Sequence, residues 1–132
     1  IRSAAAFGAD TVLCSGDCAD LYNPKTVRSA MGNLFRMKVV NVGSPEEAVS
    51  ALRRLGRRVF TAELTENAVS LFDLKLRESD VFVIGNEGHG IPPSVSRLCD
   101  KSVYIPIKPD VESLNASVAA AVLLYEQFGK IR

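Results

Sequence analysis

A chain of 132 residues, 47% apolar and 23% charged with a net charge of +1, has the composition of one ordinary globular domain. It lacks the strongly basic field of a self-sufficient nucleic-acid-binding module, so an RNA partner would need help from another segment or subunit. No apolar run is long enough for a bilayer and no basic-then-apolar leader is visible, which makes the cytoplasm the expected compartment, with an organelle of a eukaryotic source as an open alternative. Cys14, Cys18 and Cys99 are an odd count, and one C-x-x-x-C with a single distant His89 is a poor metal site; reduced thiols and no metal are expected.

The first residues, IRSAAAFGAD, read as an Ala-rich helix already in progress with Gly8 as its stop, and lead to the expectation that the chain is a piece of a longer protein. A strand over 11–15 leads into the polar loop SGDCADLYNP, where Asn23 is placed as an N-cap and Pro24 at the first helical position, before a helix through 26–31. Residues 31–37 join it to a strand over 38–42. Ser44-Pro45-Glu46-Glu47 is a helix start with acids in the first turn, and that helix, 45–55, ends at Gly56. Strand 58–62 follows, then a polar stretch over 63–80 whose pattern assigns no element. Strand Val81–Ile84, a short helix over 93–98, strand 102–105 and the loop PIKPDVE lead to a last helix over 113–128, opening at Ser113 and stopping at Gly129.

This alternation predicts an α/β fold with a mostly parallel sheet and helices on both faces. The last helix is apolar over more than one face, which suits either a second subunit against one side or a central position in a monomer.

The stretch VFVIGNEGHGIP is the centre of the chemistry. Four apolar residues make a buried strand, and Gly85, Gly88 and Gly90 then open a loop that carries Asn86, Glu87 and His89 at the strand's carboxyl end, where open α/β sheets bind ligands. The spacing G-x-x-G-x-G is neither the dinucleotide fingerprint nor a Walker A loop. Taken alone, the loop also suits a tight strand-to-helix turn ending at Pro92 and Pro93.

Three stretches in order, IRSAAAFGAD, VFVIGNEGHGIP and IPIKPDVESLNASVAAAVLLYE, resemble the three signature motifs of the SpoU (TrmH-like) branch of the SPOUT RNA methyltransferases, and NPKTVRSAMGNLFRMKV resembles the segment between the first two. The carrying residues are Arg2, Gly85-Asn86-Glu87-Gly88, Ile105-Pro106 and Ser113-Leu114-Asn115. The family's Asn-x-Gly at the start of motif one, and the strand before it, are not in this sequence. The resemblance covers nearly the whole of 1–132, as one catalytic domain. It implies a deep C-terminal trefoil knot (the SPOUT fold) that forms an S-adenosylmethionine pocket. It also implies a homodimer packed through the final helix, and transfer of a methyl group to a ribose 2′-hydroxyl of rRNA or tRNA. The alternative is a knotted RNA-binding or dimerisation module without the reaction.

Such a transfer needs an oxygen aligned behind an electrophilic methyl group, so positioning and deprotonation dominate. By the resemblance, Arg2 would hold substrate phosphate and ribose, and Glu87 would orient Arg2 or a neighbouring backbone group. Ser113 and Asn115 would order the ribose and the loop, with Ser113 also capping the last helix. Cofactor contacts are expected from Ala62, Glu63 and Leu64, from Ile84, Gly85, Asn86 and Gly88, from Ile105, Pro106 and Ile107, and from Leu114 and Asn115, largely through backbone groups. His89 falls at a variable position of the family loop and is read as an exposed loop residue. Two basic clusters, Arg53, Arg54, Arg57 and Arg58, and Lys25, Arg28, Arg36 and Lys38, suit either helix-end charge compensation or RNA phosphate.

Overall fold

The computed structural model describes residues 1–129. In chain order the elements are α1 (Arg2–Phe7), β1 (Thr11–Cys14), α2 (Pro24–Ala30), β2 (Lys38–Asn41), α3 (Pro45–Arg54), β3 (Val59–Ala62), β4 (Val69–Ser70), β5 (Val81–Ile84), α4 (Pro93–Ser96), β6 (Lys101–Tyr104) and α5 (Ala116–Phe128). Every ladder among them is parallel: β1 with β2 in one sheet, and β4-β6-β3-β5 in another. The parallel architecture expected from the sequence is present, divided between two sheets.

The local signals explain most boundaries. Gly8, at φ 89°, ends α1 in the left-handed region and donates its N–H to the Ala4 carbonyl. Asn23 caps α2 by accepting from the Lys25 N–H, and Ser44 caps α3 by accepting from the Glu47 N–H, each with proline in the first turn. The last helix corrects the reading. It begins at Ala116 and its cap is Asn115, whose side chain accepts from the Ser117 N–H, while Ser113 lies exposed in the preceding loop. The serine was the better cap by position in the apolar pattern, but the chain stays extended for two more residues.

β3 is central because both of its faces are covered. Val59 and Thr61 point one way and Phe60 and Ala62 the other, as alternation along a strand requires. On the first side Val59 joins Val49 of α3 and Val95 of α4, with Val81, Val83, Leu98 and Cys99 packed around them. On the second, Phe60 and Val103 join Leu123 of α5 and Leu71, with Phe82, Ile105 and Val122. Helices therefore cover both faces of the four-stranded sheet. The unassigned stretch over 63–80 contributes Leu71, Leu74 and Leu76 to this second core, through β4 and a 3₁₀ turn at Leu71–Asp73. Its apolar residues follow neither the period of a helix nor that of a strand, because it is a covering segment. Among the described residues no helix is long and apolar enough to cross a membrane.

Candidate active site

The site is built where β3, β5 and β6 end. After Ile84 the chain doubles back on itself: the Asn86 N–H donates to the Gly90 carbonyl at 3.1 Å and the Gly90 N–H donates to the Asn86 carbonyl at 2.8 Å. The Gly88 N–H donates to the Asn86 Oδ1 at 2.7 Å, closing the loop from inside. Two glycines are required sterically. A Cβ on Gly85 would lie 2.7 Å from the Gly90 carbonyl carbon, and Gly90 itself has φ +68°. The loop is thus a narrow cradle of backbone, with Glu87 and His89 exposed on its outer turn.

The two carboxyl-terminal motifs meet on this loop. The Asn115 amide Nδ2 donates to Glu87 Oε1 at 3.1 Å, across 28 positions of sequence. Its Oδ1 accepts from both the Ser117 N–H at 3.0 Å and the Ser117 hydroxyl at 2.6 Å. One residue therefore starts α5 and anchors the acid of the glycine loop. Arg2 is exposed at the first position of α1, and among the described residues no hydrogen bond or ion pair joins it to Glu87. Helix α1 packs along α5, with the Phe7 and Tyr125 rings 5.8 Å apart at 73°. Ser113 makes no side-chain hydrogen bond among the described residues, which leaves its hydroxyl available at the loop before α5.

At the exit of β3 the Glu63 N–H continues the ladder to the Val103 carbonyl at 3.1 Å. Its carboxylate is turned under the sheet, accepting from the Ser96 hydroxyl of α4 and, at 3.2 Å, from the Ser102 hydroxyl, which in turn accepts from Thr61 at 3.0 Å. Glu63 thus presents backbone, not charge, to the ligand edge. Sequence reasoning missed this serine–threonine relay; the signal was register, since Thr61 pairs with Ser102. Beside it, Leu64, Ile84 and Ile107 are 80%, 36% and 38% exposed, an apolar set at the strand exits. Ile105 points back into the core beside α5.

The Arg53–Arg58 cluster is largely spoken for. Arg53 pairs with Asp100 at 3.1 Å, Arg57 donates to the Ser79 carbonyl, and Arg58 grips the buried Asp80 with two hydrogen bonds while lying over the Phe60 ring. The bond to Asp80 raises the Arg58 pKa. Burial, followed by the charges of Asp100 and Glu63, pushes the Cys99 thiol up to about 11. Gln127 of α5, 3% exposed, donates its Nε2 to the carbonyls of Asp80 and Arg77 at 2.8 and 2.9 Å, and to that of Glu78 at 3.3 Å. Helix α5 is therefore tied at its start to the loop after β5 and at its end to the segment before β5. All three cysteines are free thiols.

Parallel strands ending in a backbone cradle, with an apolar rim and an acid held by the cap of the last helix, define an α/β domain with its ligand site at the carboxyl edge of the sheet. The profile of the SpoU rRNA Methylase family matches residues 1–125, and the chain belongs to that family. It is 39% identical over 130 residues to a 23S rRNA (uridine(2479)-2'-O)-methyltransferase of Streptomyces viridochromogenes, covering 96% of this chain and 45% of the relative. It is 36% identical over 129 residues to the 23S rRNA (guanosine(2553)-2'-O)-methyltransferase RlmP of Bacillus subtilis, covering 98% and 51%. Among solved structures, the SpoU methyltransferase AviRb of S. viridochromogenes in complex with the cofactor AdoMet superposes with a TM-score of 0.87 at 36% identity, over 98% of this chain and 53% of that one. The chain thus spans about half the length of the curated relatives it matches.

Proposed function

We propose that this chain is the catalytic domain of an S-adenosylmethionine-dependent RNA methyltransferase that methylates a ribose 2′-hydroxyl of rRNA or tRNA. The observation that carries the reading is the Asn115–Glu87 hydrogen bond, which joins motif three to motif two at the glycine cradle. The residues present fit the cofactor. Gly85 lets the loop fold closely onto Gly90, which shapes the backbone cradle, and exposed Leu64, Ile84 and Ile107 supply the apolar surface an adenine ring needs. Ala62, Glu63, Leu64, Ile84, Gly85, Asn86, Gly88, Ile105, Pro106, Ile107, Leu114 and Asn115 would hold it, chiefly through backbone groups. When bound, it supplies an electrophilic methyl group on a sulfonium.

The chain's own residues then do the positioning. Arg2, exposed and unpaired among the described residues, binds the phosphate beside the target ribose, where a bidentate guanidinium fixes the backbone and lowers the cost of the developing alkoxide. Glu87 holds the Asn115 amide, which fixes the start of α5 and the loop that carries Ser113. The Ser113 hydroxyl orients the ribose. A C-terminal trefoil knot belongs to this reading through the family match over residues 1–125. A homodimer through α5 is supported by Val118 and Tyr125, 47% and 54% exposed on the helix that buries Leu123. A cytoplasmic location agrees with this reading.

The test is calorimetric titration with S-adenosylmethionine, together with transfer of labelled methyl into ribosomal and transfer RNA. Leu114→Arg, at a position this reading gives to the cofactor, is expected to abolish cofactor binding while the chain stays folded. A folded chain that binds no cofactor overturns the proposal.

A further inference from the structure

The cofactor site lies on the four-stranded sheet, and the two-stranded sheet carries a cleft that the proposed reaction leaves unused. A cavity of about 500 Å³ opens at the exits of the parallel strands β1 and β2, lined by Ser15, Cys18, Asp20, Tyr22, Asn41 and Val42 among others. Its floor is hydrogen-bonded: the β1–β2 ladder continues past the last paired residues, with the Val42 N–H donating to the Cys14 carbonyl at 2.8 Å. Its rim is held by successive turns, Cys18 N–H to Ser15 carbonyl at 3.0 Å and Asn23 N–H to Asp20 carbonyl at 3.2 Å. The Tyr22 N–H donates to Asp20 Oδ1 at 2.7 Å.

The side chains on this frame are not used by the fold. Tyr22 is 74% exposed, and its ring packs against no other ring among the described residues. The Asn41 carboxamide, at the exposed end of β2, makes no hydrogen bond among the described residues, so both its donor and its acceptor are open. Asp20 keeps its second carboxylate oxygen without a hydrogen bond among the described residues. A flat aromatic face, an amide that donates and accepts, and a carboxylate that accepts N–H groups are the complement of an unpaired nucleobase read on its edge and stacked on its face. The two acids of the loop, Asp17 and Asp20, disfavour a phosphate in the same place. Phosphate contact is available next door, where Lys25 and Arg28 of α2 are exposed and outside any ion pair among the described residues.

We propose that this cleft holds one unpaired base of the bound RNA, with Tyr22 stacking on the base and Asn41 and Asp20 reading its edge. The inference rests on the reading of the chain as an RNA methyltransferase, and it adds a site that would bear on which nucleotide is presented.

The test compares binding of a fluorescently labelled single-stranded RNA dodecamer of mixed sequence with that of a ribose-phosphate dodecamer lacking bases. The proteins are the intact chain, Tyr22→Ala, Tyr22→Phe and Asn41→Ala, each also titrated with S-adenosylmethionine. Tyr22→Ala is expected to weaken binding of the base-bearing strand by about 5- to 150-fold, the range lost with one base–aromatic stack, and to leave the base-free strand unchanged. Tyr22→Phe retains the stack and stays within about twofold of the intact chain. Asn41→Ala weakens only the base-bearing strand. Equal losses on both strands, no loss with Tyr22→Ala, or no RNA binding by the intact chain would each overturn the pocket. Cofactor titration reads the other claim separately. A chain that binds the cofactor without any Tyr22 dependence loses the pocket and keeps the methyltransferase reading; base-dependent binding without cofactor binding does the reverse.

Discussion

Gln127 offers the most searching test of how α5 is held. Its Nε2 is aimed at three carbonyl oxygens, those of Asp80, Arg77 and Glu78, at 2.8, 2.9 and 3.3 Å, and the side chain is 3% exposed. Replacing it by glutamate keeps the shape but exchanges the only donor for an acceptor. Two good hydrogen bonds are lost and the carbonyls are left facing an oxygen in a site closed to water. At about 1–3 kcal/mol for each of the two buried carbonyls left without its partner, the loss at neutral pH is about 2–6 kcal/mol. The penalty has a pH signature. Repulsion by the carbonyls and burial raise the folded-state pKa of the introduced carboxyl above its unfolded value of about 4.3, so the folded chain binds a proton that the unfolded chain has released. Stability of Gln127→Glu therefore falls as pH rises through that window, and part of it returns as pH is lowered from 7 toward 4. Gln127→Leu should lose stability by a similar route without that pH response. Urea unfolding of the three proteins at several pH values, with slopes compared for two-state behaviour, measures this directly. A loss below about 1 kcal/mol for both variants would refute the claim that Gln127 anchors the helix.

Four other outcomes are expected. Gly85→Ala places a Cβ 2.7 Å from the Gly90 carbonyl carbon, so the loop must open; about 1–3 kcal/mol of stability should be lost, and cofactor affinity in calorimetry should fall with it. Asn115→Ala removes the cap of α5 and should cost about 1 kcal/mol in thermal or urea unfolding. Asn115→Asp keeps the cap but sets a carboxylate against Glu87, so its cofactor affinity should drop and be restored by adding Glu87→Gln. Cys99, held at about 11 against 9.0, stays protonated in the folded chain where the unfolded chain has ionised; stability should decline with pH across that interval, and Cys99→Ala should flatten the decline in urea titrations.

The site was legible wherever chemistry is local. Glycine spacing after an apolar run located the cradle, and the Gly85 and Gly90 contacts show why those residues are needed there. That Glu87 meets Asn115 was not legible, because a hydrogen bond across 28 positions depends on where the loop before α5 is carried. The roles given to Arg2 and Ser113 rest on motif position, and among the described residues no side-chain hydrogen bond or ion pair joins either of them to Glu87 or to the other. The Arg53–Arg58 cluster looked like an equal candidate for RNA phosphate, yet Arg53 and Arg58 are engaged with Asp100 and Asp80, acids 47 and 22 positions away.

What the sequence determined by itself is the set of elements whose ends are written in neighbouring residues: α2 and α3 through Asn23-Pro24 and Ser44-Pro45, α1 through Gly8, and β5 through its four apolar residues. Capping and alternation act over a few residues, so their signals survive without a fold. Only the tertiary structure decided that Asn115, and not Ser113, opens α5, that the chain over 63–80 serves as a lid for the second core, and that Gln127 closes on the segment before β5. Each of these depends on a partner brought close by the parallel crossovers, and competition among several plausible local choices is settled by which one leaves no buried polar group without its bond.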